Sequence, residues 1–144
     1  MKIKRDDNFD KIIRTYLPFY DTSDAWRRIE KLESVNKQIV ESMMHLAEVF
    51  RLTVEEPRKI YLTVQEVRSR SVYIRWRRKG ANGNQKYLVF NSIGGKGFLM
   101  EQSNDGQILY QKFNHWALQL NLAHSLRLNE IRRIKKYLQT FNIK

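Results

Sequence analysis

The sequence predicts an α+β fold in one domain: a long N-terminal helix, a small antiparallel sheet with a basic hairpin, and a C-terminal helical segment packed on that sheet. Three observations carry this. Apolar residues at heptad spacing run from Ala25 to Phe50 with no Gly or Pro between them. After Pro57 the pattern changes to period two, with β-branched and aromatic residues alternating with polar ones. From Leu109 to Phe141 the helical period returns. A chain of 144 residues is long enough to bury one real core.

Residues 1–22 read as a leader holding a short amphipathic segment, Phe9, Ile12, Ile13, Tyr16 and Leu17, stopped by Pro18. Asp21 or Ser23 can cap the next helix, expected over residues 24–52. Its d-type positions are Ala25, Leu32, Ile39 and Leu46, and its a-type positions are Ile29, Asn36, Met43 and Phe50. A lone Asn at an a position sets register or oligomer state in coiled coils. Two packings follow: the stripe at 25–50 lies inside its own domain, or it forms a homodimer seam. Val35, Val40, Met44 and Val49 widen it beyond a strict seam, which favours the first.

The sheet is expected over residues 58–101. Ile60, Leu62 and Val64 form one apolar face, and Val72, Ile74 and Trp76 continue it. Tyr87-Leu88-Val89-Phe90 is the third strand. Asn82-Gly83 suggests a two-residue turn, but that turn would set Arg77 opposite Leu88. A five-residue loop over 80–84 instead sets Trp76 opposite Leu88 and Ile74 opposite Phe90, leaving Tyr73, Arg75, Arg77, Lys79, Tyr87 and Val89 on the other face. Gly94-Gly95-Lys96-Gly97 reads as a turn that lets the backbone approach another element or a phosphate. It lacks the lysine–hydroxyl ending of a phosphate-binding loop, because Gly97 follows Lys96. After a polar turn at Ser103–Gly106, residues 107–142 form one helix or a pair, with the apolar register broken at Arg127 and Glu130.

Charge is distributed unevenly. Residues 1–56 hold 10 Lys+Arg against 11 Asp+Glu, whereas residues 57–144 hold 17 against four. Between Val67 and Met100 there are eight cations and no acid. Such an excess opposes compaction and points to a polyanionic partner. With no cysteine, zinc–thiolate sites and thiol nucleophiles are excluded. The three histidines, His45, His115 and His124, form no metal-binding pair, and the acids of the second half are dispersed. No catalytic residue, metal site or cofactor is expected. There is neither an apolar run of the roughly 18 residues that span a bilayer nor a secretory signal at the start. The expectation is a soluble cytoplasmic protein.

Arg75 and Arg77 share a strand face about 7 Å apart. A two-stranded ribbon carrying them can enter a major groove, where arginine reads guanine edges. The expected interface is Arg68, Arg70, Tyr73, Arg75, Arg77, Arg78, Lys79, Lys86 and Lys96, with Arg132, Arg133 and Lys136 as a second cluster. Double-stranded DNA is the expected partner. An RNA-binding or ribosome-associated module, with Tyr73 and Tyr87 against unstacked bases, is the first alternative. A dimeric interaction protein presenting its basic surface to an acidic partner is the second.

The order of these features resembles the MobI-like auxiliary mobilisation proteins of conjugative plasmids and integrative conjugative elements. The residues that carry the likeness are Ser71-Val72-Tyr73-Ile74-Arg75-Trp76, the continuation Arg77-Arg78-Lys79, Tyr87-Leu88-Val89-Phe90, Gly95-Lys96-Gly97-Phe98, Trp116 and Ile131-Arg132-Arg133-Ile134. It covers roughly residues 57–140. The resemblance implies a non-enzymatic DNA-binding factor that acts at the origin of transfer and assists a separate relaxase.

Overall fold

A computed structural model describes residues 7–79 and 85–141. The elements are α1 (Asp7–Tyr16), α2 (Thr22–Thr53), β1 (Ile60–Glu66), β2 (Val72–Lys79), β3 (Gln85–Leu88), α3 (Ile93–Met100) and α4 (Asn104–Gln139). The fold is the expected α+β arrangement: a three-stranded antiparallel sheet in the order β1-β2-β3, with long helices on one face.

Helix α2 begins where Asp21 accepts a hydrogen bond from the Asp24 amide (2.9 Å). At its other end the Arg58 guanidinium donates to the Arg51 and Val54 carbonyls (2.9 and 2.5 Å), satisfying groups the helix leaves open. Its stripe Ala25, Ile29, Leu32, Asn36, Met43 and Phe50 is buried. The seam offered to a second copy at 25–50 is therefore occupied within the chain, by α4 and the sheet.

The α2–α4 pair is antiparallel and has two apolar clusters. Ala25, Ile29 and Leu32 meet Ile131, Ile134 and Leu138 at one end. Met43 and Phe50 meet Tyr110, Phe113, Ala117 and the sheet residues Ile60, Leu62, Ile74 and Trp76 at the other. The second cluster is aromatic: the Trp76 ring lies 4.8 Å from Phe90, stacked, and 5.0 Å from Phe50, edge-on.

Helix α4 is one unbroken helix of 36 residues, not a pair. Its buried positions are Tyr110, Phe113, Ala117, His124, Ile131, Ile134 and Leu138, with Leu109 and Leu120 partly buried against the core, while Trp116 stays 40% exposed. The apolar register fades between the clusters because α4 there faces a sheet edge that needs polar partners. Strand β3 ends at Leu88, so the expected Ile74–Phe90 pair does not form. Asn121 takes its place, accepting from the Ile74 amide (2.8 Å) and donating to the Ile74 carbonyl (2.9 Å). His124 Nε2 accepts from the Val72 amide (3.1 Å), and Asn114 accepts from the Trp76 indole (3.0 Å). Two polar side chains of α4, Asn121 and His124, thus finish the backbone edge of β2, while Asn114 satisfies the buried Trp76 side chain.

Residues 93–100, expected within the sheet region, are helical. Ser92 caps α3 by accepting from the Gly95 amide (3.0 Å). The close approach expected of this glycine run is real: a Cβ on Gly95 would lie 2.5 Å from Phe90 Cα and closer still to the Val89 carbonyl oxygen. The polar turn at Ser103–Gly106 is the start of α4, with Ser103 as its cap.

Candidate nucleic-acid interface

Antiparallel pairing sets Trp76 opposite Leu88 and Arg77 opposite Tyr87, the register expected from parity. The conformation of the 80–84 loop, and the side chain of Lys79, lie outside the described residues. On the helix-free face, cross-strand neighbours are Tyr61–Arg77–Tyr87, Thr63–Arg75 and Gln65–Tyr73. No acidic side chain stands among these positions.

The side chains on this face hold one another. The Arg75 guanidinium lies 4.4 Å from the Tyr73 ring centroid and 4.8 Å from that of Tyr87. Arg77 lies 4.9 Å from the Tyr87 ring, and donates to the Tyr87 hydroxyl (2.9 Å) and to Gln65 Oε1 (3.1 Å). Each such cation–π contact is worth about 0.5–1 kcal/mol at an exposed site. Together they fix two flexible arginines in place before a ligand arrives, which lowers the ordering cost of binding. The hydrogen bond from Arg77, with the charges of Arg77 and Arg75, holds the Tyr87 hydroxyl below the usual phenol range.

The remaining expected cations separate into groups. Arg78 and Lys86 stand directly opposite each other, both exposed, on the helix-side surface of the sheet beyond the core. Like charges in that relation are destabilising. Arg68 and Arg70 occupy the β1–β2 turn at the far end of β2, closed by hydrogen bonds from Val67 to Ser71 and from Arg70 to Val67; Arg70 there has φ 63°. Arg132 joins this end by donating to the Ser69 carbonyl (2.7 Å). Lys96 is exposed on α3, and Arg133 and Lys136 are exposed on the last turns of α4 beside the distal cluster. These three are not brought to the sheet face. Lys135, beside them, pairs with Glu33 (3.3 Å).

Arg75 and Arg77 belong to the central strand, flanked by β1 from Val72 to Arg78. The expected two-stranded ribbon is thus part of a three-stranded sheet. Sequence reasoning missed Tyr61 and Gln65 as members of this face. Their parity with Tyr73 and Arg77 across the short 67–71 turn was the available signal.

Among the described residues no group of three or more His, Asp or Glu side chains could hold a metal ion, and no helix is long and apolar enough to cross a membrane. No protein-family model, curated protein or solved structure matches the chain.

Proposed function

We propose that this protein is a non-enzymatic nucleic-acid-binding factor, and that its ligand lies on the open sheet face around Arg75 and Arg77. The observation that carries the reading is the Tyr73–Arg75–Tyr87–Arg77 array, oriented by its own stacking on a face without acids. The Arg75 guanidinium can give paired hydrogen bonds to phosphate oxygens or to a guanine edge, while Arg77, whose Nη2 is committed to Tyr87 and Gln65, adds its charge beside it. The Arg78–Lys86 pair lies on the opposite surface of the sheet, so it adds long-range positive charge and no direct contact on this face. Arg68, Arg70 and Arg132 extend the positive surface along β2, while Lys96, Arg133 and Lys136 are outlying contacts.

DNA in duplex form is the preferred ligand. The role as a cytoplasmic accessory to conjugative transfer, acting at the origin of transfer beside a relaxase, rests on the resemblance described above. A second reading, single-stranded nucleic acid or RNA, is favoured by Tyr87, which is 45% exposed beside the two guanidiniums that lie over its ring.

Sequencing of nucleic acid that co-purifies with the chain tests the reading. Enrichment of one transfer locus supports the conjugative role, and enrichment of structured RNA supports the second reading. Failure to bind any nucleic acid at low salt rejects both. Competition among duplex, single strand and RNA then ranks the ligands.

A further inference from the structure

The two margins of the sheet are treated differently. Where β3 stops short, the edge of β2 is closed by Asn121 and His124. Strand β1 is the other margin, seven residues long, and among the described residues nothing hydrogen-bonds to the outer edge of its backbone. Its protection as an edge is slight: there is no proline and no lysine within Ile60–Glu66, its pairing with β2 runs without a bulge, and its one charge is the terminal Glu66. Beside it lies a groove of about 620 Å³ between β1 and the flank of α2, floored by Met44, Ala47 and Leu62. Met44 is 56% exposed there.

We propose that this edge pairs with the same edge of a second copy, antiparallel about a two-fold axis at Thr63. Thr63 is the midpoint of the strand. The strand is self-complementary in that register: Leu62 would face Val64 of the second copy, Tyr61 would face its Gln65, and Thr63 would face Thr63. On the helix side Leu62 meets Val64 and the end pairs set Ile60 opposite Glu66, and a Thr–Thr pair sits on the axis. A two-fold axis perpendicular to the sheet keeps both helical layers on one side. The result is a six-stranded sheet whose two Tyr–Arg faces are coplanar, doubling the cationic surface. An isologous interface of this kind closes on itself and does not propagate. The proposal does not depend on what the faces bind.

The chain has no cysteine, so a single one is a clean reporter. Facing residues in an antiparallel pair have Cα atoms about 4.5–5.5 Å apart, within the disulfide range of about 4.4–6.8 Å. The test is light scattering of the wild-type chain from one to one hundred micromolar, with oxidative cross-linking of Thr63→Cys and of Lys86→Cys, on the opposite margin of the sheet, as a control. Circular dichroism checks that each variant folds. The expected results are a doubled mass for the wild type, cross-linking of Thr63→Cys to near completion with only background for Lys86→Cys, and a return to monomer mass for Thr63→Lys. A monomer at every concentration overturns the proposal. So does a dimer in which Thr63→Cys cross-links no faster than the control, since that dimer uses another face.

Discussion

Replacing Asn121 with alanine isolates the device that lets a four-residue β3 serve beside an eight-residue β2. Asn121 bonds both backbone groups of Ile74, at 2.8 and 2.9 Å, and Ile74 is only 1% exposed. Alanine removes both partners at once and leaves a buried amide and a buried carbonyl. Each unsatisfied group costs about 1–3 kcal/mol, so the loss should be about 2–5 kcal/mol. Domains of this size are stable by roughly 5–15 kcal/mol, so the variant should fold with a clearly lowered urea midpoint and an unchanged m value. Asn121→Asp keeps the acceptor for the Ile74 amide but turns a second carboxylate oxygen on the Ile74 carbonyl, so it should cost at least as much as alanine. A cost below about 0.5 kcal/mol for the alanine variant would refute the reasoning, because water would then be completing the strand edge.

Gly95→Ala should be as damaging as a core truncation, by about 2–4 kcal/mol, since its Cβ would strike the backbone at Val89 and Phe90. Gly97→Ala, with nothing within 4 Å, is its control in the same melt and should be neutral or stabilising. Asn36→Leu should stabilise by about 1 kcal/mol in chemical denaturation, because the buried Asn36 Oδ1 has no hydrogen-bond partner within the chain among the described residues and leucine removes that desolvation cost. Burial, with the Arg132 charge as second cause, holds the His124 imidazole below its ordinary range. The unfolded chain therefore binds a proton that the folded chain resists. The His124 contribution is full above pH of about 6.5 and is lost as pH falls below it. Urea midpoints measured from pH 7.5 to 5 should decline for the wild type and flatten in His124→Gln.

Much of the fold was legible because α2 and the first two strands obey simple periods. Asp21 as a cap, the Asn36 stripe and the Trp76–Leu88 register all follow from spacing alone. What was not legible depended on tertiary contacts. Asn114, Asn121 and His124 carry no local signal of a partner, yet they are the side chains that dock α4 on β2. Residues 93–100 resemble a turn because they carry three glycines. They are helical because Ser92 caps them and Gly95 rests on the Phe90 backbone. In the candidate site, parity placed Arg75 and Arg77 together with Tyr73 and Tyr87. Parity equally separates Arg78 and Lys86 from them, and grouping by charge alone obscured that. Arg132 is tied to the β1–β2 turn by a contact 63 residues distant in sequence, which no local pattern reveals.

The central claim is that Arg75 and Arg77 form the nucleic-acid contact. Fluorescence anisotropy on a labelled duplex across a salt series tests it most directly, comparing the wild type with the Arg75→Ala/Arg77→Ala variant. Each phosphate contact contributes a slope of about −0.9 to the plot of log affinity against log salt. The account predicts steep salt dependence for the wild type. For the variant it predicts at least a hundredfold weaker binding, a slope shallower by about two contacts, and an unchanged circular dichroism spectrum. Equal affinity and equal slope for the two folded proteins would contradict it.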